Sequence, residues 1–159
     1  MLFSSKKEKY LASVCKGEII PTEKIPDEVF SQGIMGKGYG IIPEEGKIVS
    51  PVDGIVEVVT DTSHAYTVKN GDGLEILIHI GIDTVSLEGK GFNPRVREGQ
   101  RVRIGDTLCI ADLEYIASKG FPTVTAVLVT NPELISIVKY NYGKADDEIT
   151  PAMYYIKKG

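Results

Sequence analysis

Seventeen glycines and eight prolines divide this 159-residue chain at short intervals. The apolar runs left between them are about the length of a β-strand and too short for long helices. The expected fold is therefore all-β: a compact antiparallel β-sandwich or barrel-like single domain with short helical turns. Residues 46–54 and 55–59 read as two strands, with a turn over 51–54 where Asp53-Gly54 supplies the tight geometry. The next turn, Asn70-Gly71-Asp72-Gly73, predicts a hairpin between the β-rich runs 64–69 and 74–80. Runs 102–110 and 123–129 continue the pattern, and 154–156 offers a closing strand. Two short helices are expected, one over 113–119 capped by Asp112 and ended by Gly120, the other begun by Asn131-Pro132. A brief echo between 17–21 and 46–51 is too short to establish a repeat. Nothing divides residues 17–159, which read as one domain, with 1–16 as an N-terminal tail expected to be flexible.

Charge and hydropathy narrow the function classes. A formal net charge of −4 and a pI near 5.3 provide no basic face to displace counterions from a phosphate backbone, so no nucleic-acid partner is expected. No run approaches the ~20 apolar residues that span a bilayer, and Met1-Leu2-Phe3-Ser4-Ser5-Lys6-Lys7 lacks the apolar stretch of a signal peptide. A cytoplasmic location follows as the expectation. Lys6, Lys7 and Lys9 interleave with Leu2, Phe3, Tyr10 and Leu11, so a membrane-surface helix is the alternative to a frayed terminus over 1–14. Cys15 and Cys109 are the two cysteines. Neither has a histidine nearby in sequence to form a thiolate, and both are assigned to structure.

The chain has two histidines, His64 and His79. Strand alternation puts Leu74, Ile76, Ile78 and Ile80 on one face and Glu75, Leu77, His79 and Gly81 on the other. His79 thus points away from the aliphatic row. The predicted hairpin folds the histidines toward one surface. A neutral imidazole nitrogen can attack phosphorus at neutral pH and later leave, while a second imidazole can hydrogen-bond the phosphoryl oxygens. Backbone N–H groups near Gly81 could support the same charge. For any single histidine the commoner role is a satisfied structural one.

Residues 73–85, Gly-Leu-Glu-Ile-Leu-Ile-His-Ile-Gly-Ile-Asp-Thr-Val, continue through Leu87-Glu88-Gly89-Lys90-Gly91-Phe92. With Pro51-Val52-Asp53-Gly54, Thr62-Ser63-His64-Ala65 and residues 98–102, they occur in an order and spacing that resembles the glucose-type IIA components of the bacterial phosphoenolpyruvate-dependent sugar phosphotransferase system. The resemblance runs from about Gly17 to Lys157. It implies a compact antiparallel β-sandwich that takes phosphate from the phosphohistidine of the carrier protein HPr and passes it to a cysteine of a IIB domain of a sugar permease. It matches His79 to the phosphoryl acceptor, His64 to the supporting histidine, and Thr62 to the hydroxyl that orients His64. It implies no cofactor, and contact with a membrane only through the permease. It also implies partner docking on a shallow apolar surface from Val29, Phe30, Ile34, Met35, Leu77 and Val85, with Asp27 and Asp83 as an acidic rim. Taken singly, these residues are as well explained by core packing and solvation.

Three other readings compete. Two histidines can bind zinc, but a third ligand among Glu75 and Asp83 is poorly supported, which leaves a metal held jointly with a partner's carboxylate and no intrinsic site. Residues 50–55 and 100–108 suggest a biotinyl or lipoyl carrier, yet Lys37 and Lys47 are not in the Met-Lys turn such carriers use. A purely regulatory binding module is the third; regulatory protein partners would also be compatible with a carrier.

Overall fold

The computed structural model describes residues 7–159. Among them the first half of the chain forms β1 (Glu8–Ala12), β2 (Gly17–Pro21), α1 (Glu28–Ser31), β3 (Lys37–Pro43), β4 (Lys47–Val49), β5 (Gly54–Val59), β6 (Ala65–Asn70) and β7 (Glu75–His79). The second half forms β8 (Phe92–Pro94), β9 (Arg101–Val102), β10 (Thr107–Ala111), α2 (Leu113–Ser118), β11 (Thr125–Val129), β12 (Ile135–Tyr140), β13 (Gly143–Ala145) and β14 (Pro151–Lys157). The fold is an antiparallel all-β sandwich with two short helices. An eight-stranded sheet in the order β13-β2-β3-β11-β7-β6-β5-β9 is accompanied by two three-stranded sheets, β1-β14-β12 and β4-β10-β8.

The main core draws Leu11 from β1, Tyr39 and Ile41 from β3, Ile48 from β4, Ile76 and Ile78 from β7, Leu108 from β10 and Met153 from β14. All three sheets therefore share one apolar interior. The predicted hairpin forms with Ala65 opposite His79 and Lys69 opposite Glu75, and Leu74, Ile76, Ile78 and Ile80 are fully buried. Burial of each such side chain contributes about 1.5–3 kcal/mol relative to exposure. A one-residue slip would expose the whole row and bury Glu75 and His79, so the pattern that holds the core also fixes where His79 emerges.

β11 lies between β3 and β7 and is buried on both faces. Val127 and Val129 join the main core, whereas Ala126 and Leu128 join a second cluster with Ile20, Ile25, Phe30, Ile82 and Val124. Ala126 is opposite His79 and Leu128 opposite Leu77, so this second cluster lies on the histidine-bearing face. Gly40 permits its close packing, because a Cβ there would come within 3.0 Å of the Ile25 side chain.

The expected helix at 113–119 is present as α2, with the Asp112 carboxylate accepting from Tyr115 N–H at 3.0 Å. Three expectations need correction. Within the expected tail 1–16, Glu8–Ala12 form a strand paired with β14, and Leu11, Ala12, Val14 and Cys15 are buried. The physical reason is the cross-chain partner: apolar residues near the start complete a sheet whose other strands come from the far end of the sequence. A membrane-surface helix across 1–14 is overturned for the same residues, and positions 1–6 lie outside the described residues. Asn131-Pro132 opens only a 3-10 turn, Pro132–Leu134. The Asn131 side chain accepts from Glu75 N–H and donates to the Gly73 carbonyl, both at 2.9 Å, tying the turn to the hairpin instead of capping a helix.

Candidate functional site

The β6–β7 pairing ends at the histidines. His64 precedes β6 and its carbonyl accepts from Ile80 N–H at 2.8 Å, which clamps the start of one strand to the end of the other. The two imidazole rings meet edge to face with centroids 4.9 Å apart. The expected convergence is thus present in the geometry, from a hairpin turn at the opposite end of the strands.

Each ring is held through Nδ1. For His79, Nδ1 lies 2.9 Å from the Gly81 carbonyl oxygen. A carbonyl can only accept, so Nδ1 carries the proton and Nε2 is left with its lone pair. Gly81 has φ +78, and a Cβ there would meet Thr84 Cγ2 at 2.5 Å. Its freedom is therefore spent on the packing of Thr84, and the contribution displayed toward His79 is a carbonyl oxygen. For His64, Nδ1 lies 2.6 Å from Thr62 Oγ1. A second hydroxyl, Thr60 Oγ1, lies 3.3 Å from the same nitrogen; sequence reasoning passed over it, although a hydroxyl four residues before the histidine was the available signal. Among the described residues neither Nε2 has a hydrogen-bond partner.

Both rings are neutral near pH 7. Burial, followed by the proximity of His79, pushes His64 down to about 4. Burial also lowers His79, and the Gly81 carbonyl and the charges of Asp27 and Asp83 only partly oppose it. Neutral imidazole is the nucleophilic form. His64 is 7% exposed, so few waters compete for its ring nitrogens.

Of the residues expected at a docking surface, Val29, Ile34, Met35 and Val85 are exposed, Leu77 is half-buried on the strand face that carries His79, and Asp83 is exposed. Phe30 differs from the expected surface position. It is buried in the second cluster, with its ring 5.0 Å from that of His79, and forms a wall behind the histidine. Asp27 caps α1, its carboxylate accepting from Val29 N–H at 2.9 Å and Phe30 N–H at 3.4 Å. This one residue holds the helix that carries Val29 and Phe30. The cap also escaped the sequence reading, because a four-residue helix shows no periodicity.

Cys15 and Cys109 are both buried. Burial, then the charges of Glu148, Glu44 and Glu45, pushes the Cys15 thiol up to about 12, away from any thiolate role. Among the described residues no group of three or more His, Cys, Asp and Glu side chains could hold a metal ion. No helix among them is long and apolar enough to cross a membrane.

With this geometry in place, similarity to known proteins gives it a context. The family described as phosphoenolpyruvate-dependent sugar phosphotransferase system, EIIA 1, matches residues 9–135. A PTS system glucose-specific EIIA component of Oceanobacillus iheyensis is 43% identical over 133 residues, 84% of this chain and 81% of the relative. A PTS system glucose-specific EIICBA component of Streptococcus pneumoniae is 47% identical over 80% of this chain, which spans 18% of that longer protein. A PTS system beta-glucoside-specific EIIBCA component of Bacillus subtilis is 48% identical over 78% of this chain and 20% of the relative. Among solved structures, glucose permease IIA from Mycoplasma capricolum has a TM-score of 0.89 at 30% identity, covering 96% of this chain and 99% of that one.

Proposed function

The chain belongs to the EIIA 1 family of the phosphoenolpyruvate-dependent sugar phosphotransferase system, and from that premise we propose that it is a phosphoryl carrier with His79 as the acceptor. The donor is the phosphohistidine of HPr, and the recipient is a cysteine of a IIB domain; the fused EIICBA and EIIBCA relatives support the second partner. The observation that carries the reading is the paired imidazoles at 4.9 Å, each engaged at Nδ1, with no partner for Nε2 among the described residues.

In the acceptance step the His79 Nε2 lone pair forms an N–P bond as the donor's N–P bond breaks, the electron pair returning to the donor imidazole. The Nδ1 proton stays in place against the Gly81 carbonyl, which also stabilises the positive charge that develops on the ring. Delivery reverses the geometry: a thiolate sulfur forms an S–P bond as the Nε2–P bond breaks. Thr62 donates its hydroxyl proton to His64 Nδ1, so that His64 Nε2–H can bind a phosphoryl oxygen. Burial contributes by keeping both imidazoles neutral until the phosphoryl group arrives.

Val29, Ile34, Met35, Leu77 and Val85 form the docking surface of this proposal, with Phe30 behind it. Asp27 and Asp83 would favour arginine-bearing partners through complementary charge. The protein needs no cofactor for transfer, works in the cytoplasm and meets the membrane through the permease. The test is incubation with phosphoenolpyruvate, enzyme I and HPr followed by intact-mass analysis at neutral to alkaline pH. One acid-labile phosphate is expected on the parent chain and none on His79→Ala; unchanged uptake by His79→Ala would overturn the assignment.

A further inference from the structure

His64 has two hydroxyls on one ring nitrogen, Thr62 Oγ1 at 2.6 Å and Thr60 Oγ1 at 3.3 Å from Nδ1. That nitrogen carries either a proton or an in-plane lone pair, so it cannot use two donors or two acceptors equally. The surroundings of the two hydroxyls differ. Thr60 Oγ1 accepts from Ala65 N–H at 3.1 Å and donates its own proton to the Ala65 carbonyl at 3.3 Å. The backbone closes the same loop: Thr60 N–H donates to the Ala65 carbonyl at 3.1 Å, and Ser63 N–H to the Thr60 carbonyl at 2.8 Å. With its proton given to Ala65, Thr60 has a lone pair for Nδ1. Thr62 Oγ1 has no other hydrogen-bond partner among the described residues, so its proton is available to the ring.

We infer that Thr60 is a positioning residue of the transfer site, accepting the Nδ1 proton of His64 when that ring is charged, as Thr62 serves the neutral ring by donating to the same nitrogen. For its functional consequence the inference rests on the phosphoryl-carrier reading. A dianionic phosphoryl group on His79 favours a proton, taken from solvent, on the neighbouring His64. Nδ1 then turns from acceptor to donor. Thr60 can receive it without rearrangement, and a fixed ring keeps Nε2–H directed at the phosphoryl group. The titratable group facing His64 is His79, itself flanked by Asp27 and Asp83.

The test uses Thr60→Val, which keeps shape and removes the hydroxyl, beside Thr60→Ser, which restores it. Ring-nitrogen NMR of His64 is followed through a pH titration of the full chain. Thr60→Val is expected to move the His64 titration midpoint to lower pH and its neutral form further toward the Nε2–H tautomer; Thr60→Ser should behave as the parent. Thr62→Val should move the neutral ring the opposite way, toward Nδ1–H. Uptake from phosphorylated HPr should fall about threefold to tenfold in Thr60→Val, the effect of one hydrogen bond to a charging group. Unchanged midpoint and ring shifts in Thr60→Val would overturn the inference. Should that variant disturb the fold, Thr60→Ala against Thr60→Ser carries the same comparison. If the parent takes up no phosphate while the ring shifts respond as expected, the carrier reading falls and the hold of Thr60 on His64 stands. Normal uptake with unresponsive ring nitrogens gives the reverse.

Discussion

The two ends of the β6–β7 hairpin use polar groups in opposite ways. At the turn end, Asp72 accepts from Lys9 Nζ at 2.9 Å on each carboxylate oxygen and from the Tyr155 hydroxyl at 2.9 Å. The Asn70 side chain donates to Tyr155 and accepts from the N–H groups of Asp72 and Leu74. Each of these polar groups is committed to a partner within the protein. At the other end, roughly 14 Å away for four residues of strand, His64 and His79 are held through one nitrogen each while the second is uncommitted among the described residues. Saturated polar groups lock a turn; half-saturated ones on the same ladder are oriented and still able to react. The first end closes the ladder whose register, set by the buried aliphatic row, positions the second.

The largest effects should fall at the histidine end and leave folding nearly intact. His79→Ala is expected to abolish phosphate uptake measured by intact mass. His64→Gln, which keeps the acceptor atom and removes the supporting imidazole, should slow uptake by about 10²–10⁴-fold, the usual contribution of a positioned proton-transfer or charge-stabilising side chain. If His64→Gln transfers at the parent rate, the histidine end contains one functional ring and its likeness to a paired site fails.

The next largest effect separates the ends by pH. His64 has an ordinary value of 6.5 and is pushed down to about 4 in the folded protein. As pH falls, the unfolded chain binds this proton first, so folding stability decreases between about 6.5 and about 4 and is unaffected above that window. At Asp72 burial alone would raise the carboxyl, but the hydrogen bonds from Lys9 and Tyr155 and the charges of Lys9 and Lys157 outweigh it and hold it below its ordinary 3.8. Its contribution is present above that value and is lost as pH falls further. Urea denaturation at stepped pH should show the first loss in the parent and a smaller one in His64→Gln, with the loss below 3.8 common to both.

Asp72→Ala sharpens the contrast from the other side. It removes the acceptor for Lys9 and leaves the Tyr155 hydroxyl with Asn70 alone. A cost of about 1–3 kcal/mol is expected, in the range for stranding a largely buried polar partner, with phosphate uptake by the folded fraction unchanged. Lost uptake in the folded protein would mean that the turn end also controls the site's chemistry.

These two ends were unequally legible in the sequence. Asn70-Gly71-Asp72-Gly73 and the alternation of residues 74–80 are local signals, and they were enough to expect the hairpin, the burial of its aliphatic row and the meeting of the histidines. Asp112 and Gly120 marked α2 in the same way. The Lys9–Asp72–Tyr155 cluster was invisible, because its members lie 63 and 83 residues apart and β1 resembles a frayed basic terminus until β14 is beside it. Asn131 carried a cap signal that was real but satisfied elsewhere, on the hairpin backbone. At the site, Thr62 was suggested by resemblance, whereas the spacing of Thr60 from His64 was a signal whose meaning appears only with the loop over 60–65 closed in space. Asp27 read as a rim charge, and its carboxylate caps α1.

The smallest effect belongs to Lys9→Met, and its size decides what kind of lock the turn end is. The Lys9 side chain is 44% exposed and that of Asp72 13%, so the pair sits between a surface bridge and a buried one. Surface pairs contribute about 0–1 kcal/mol and weaken with salt. Methionine keeps most of the apolar stem and removes the ammonium, isolating the charge. Because Tyr155 continues to donate to Asp72, the expected loss is under about 1 kcal/mol by urea denaturation, shrinking further as salt is raised. A salt-insensitive loss of about 3 kcal/mol would instead be the signature of a buried carboxylate left without its cation. In that case the ion pair, and not the Asn70–Tyr155 hydrogen-bond network, is what locks the turn end.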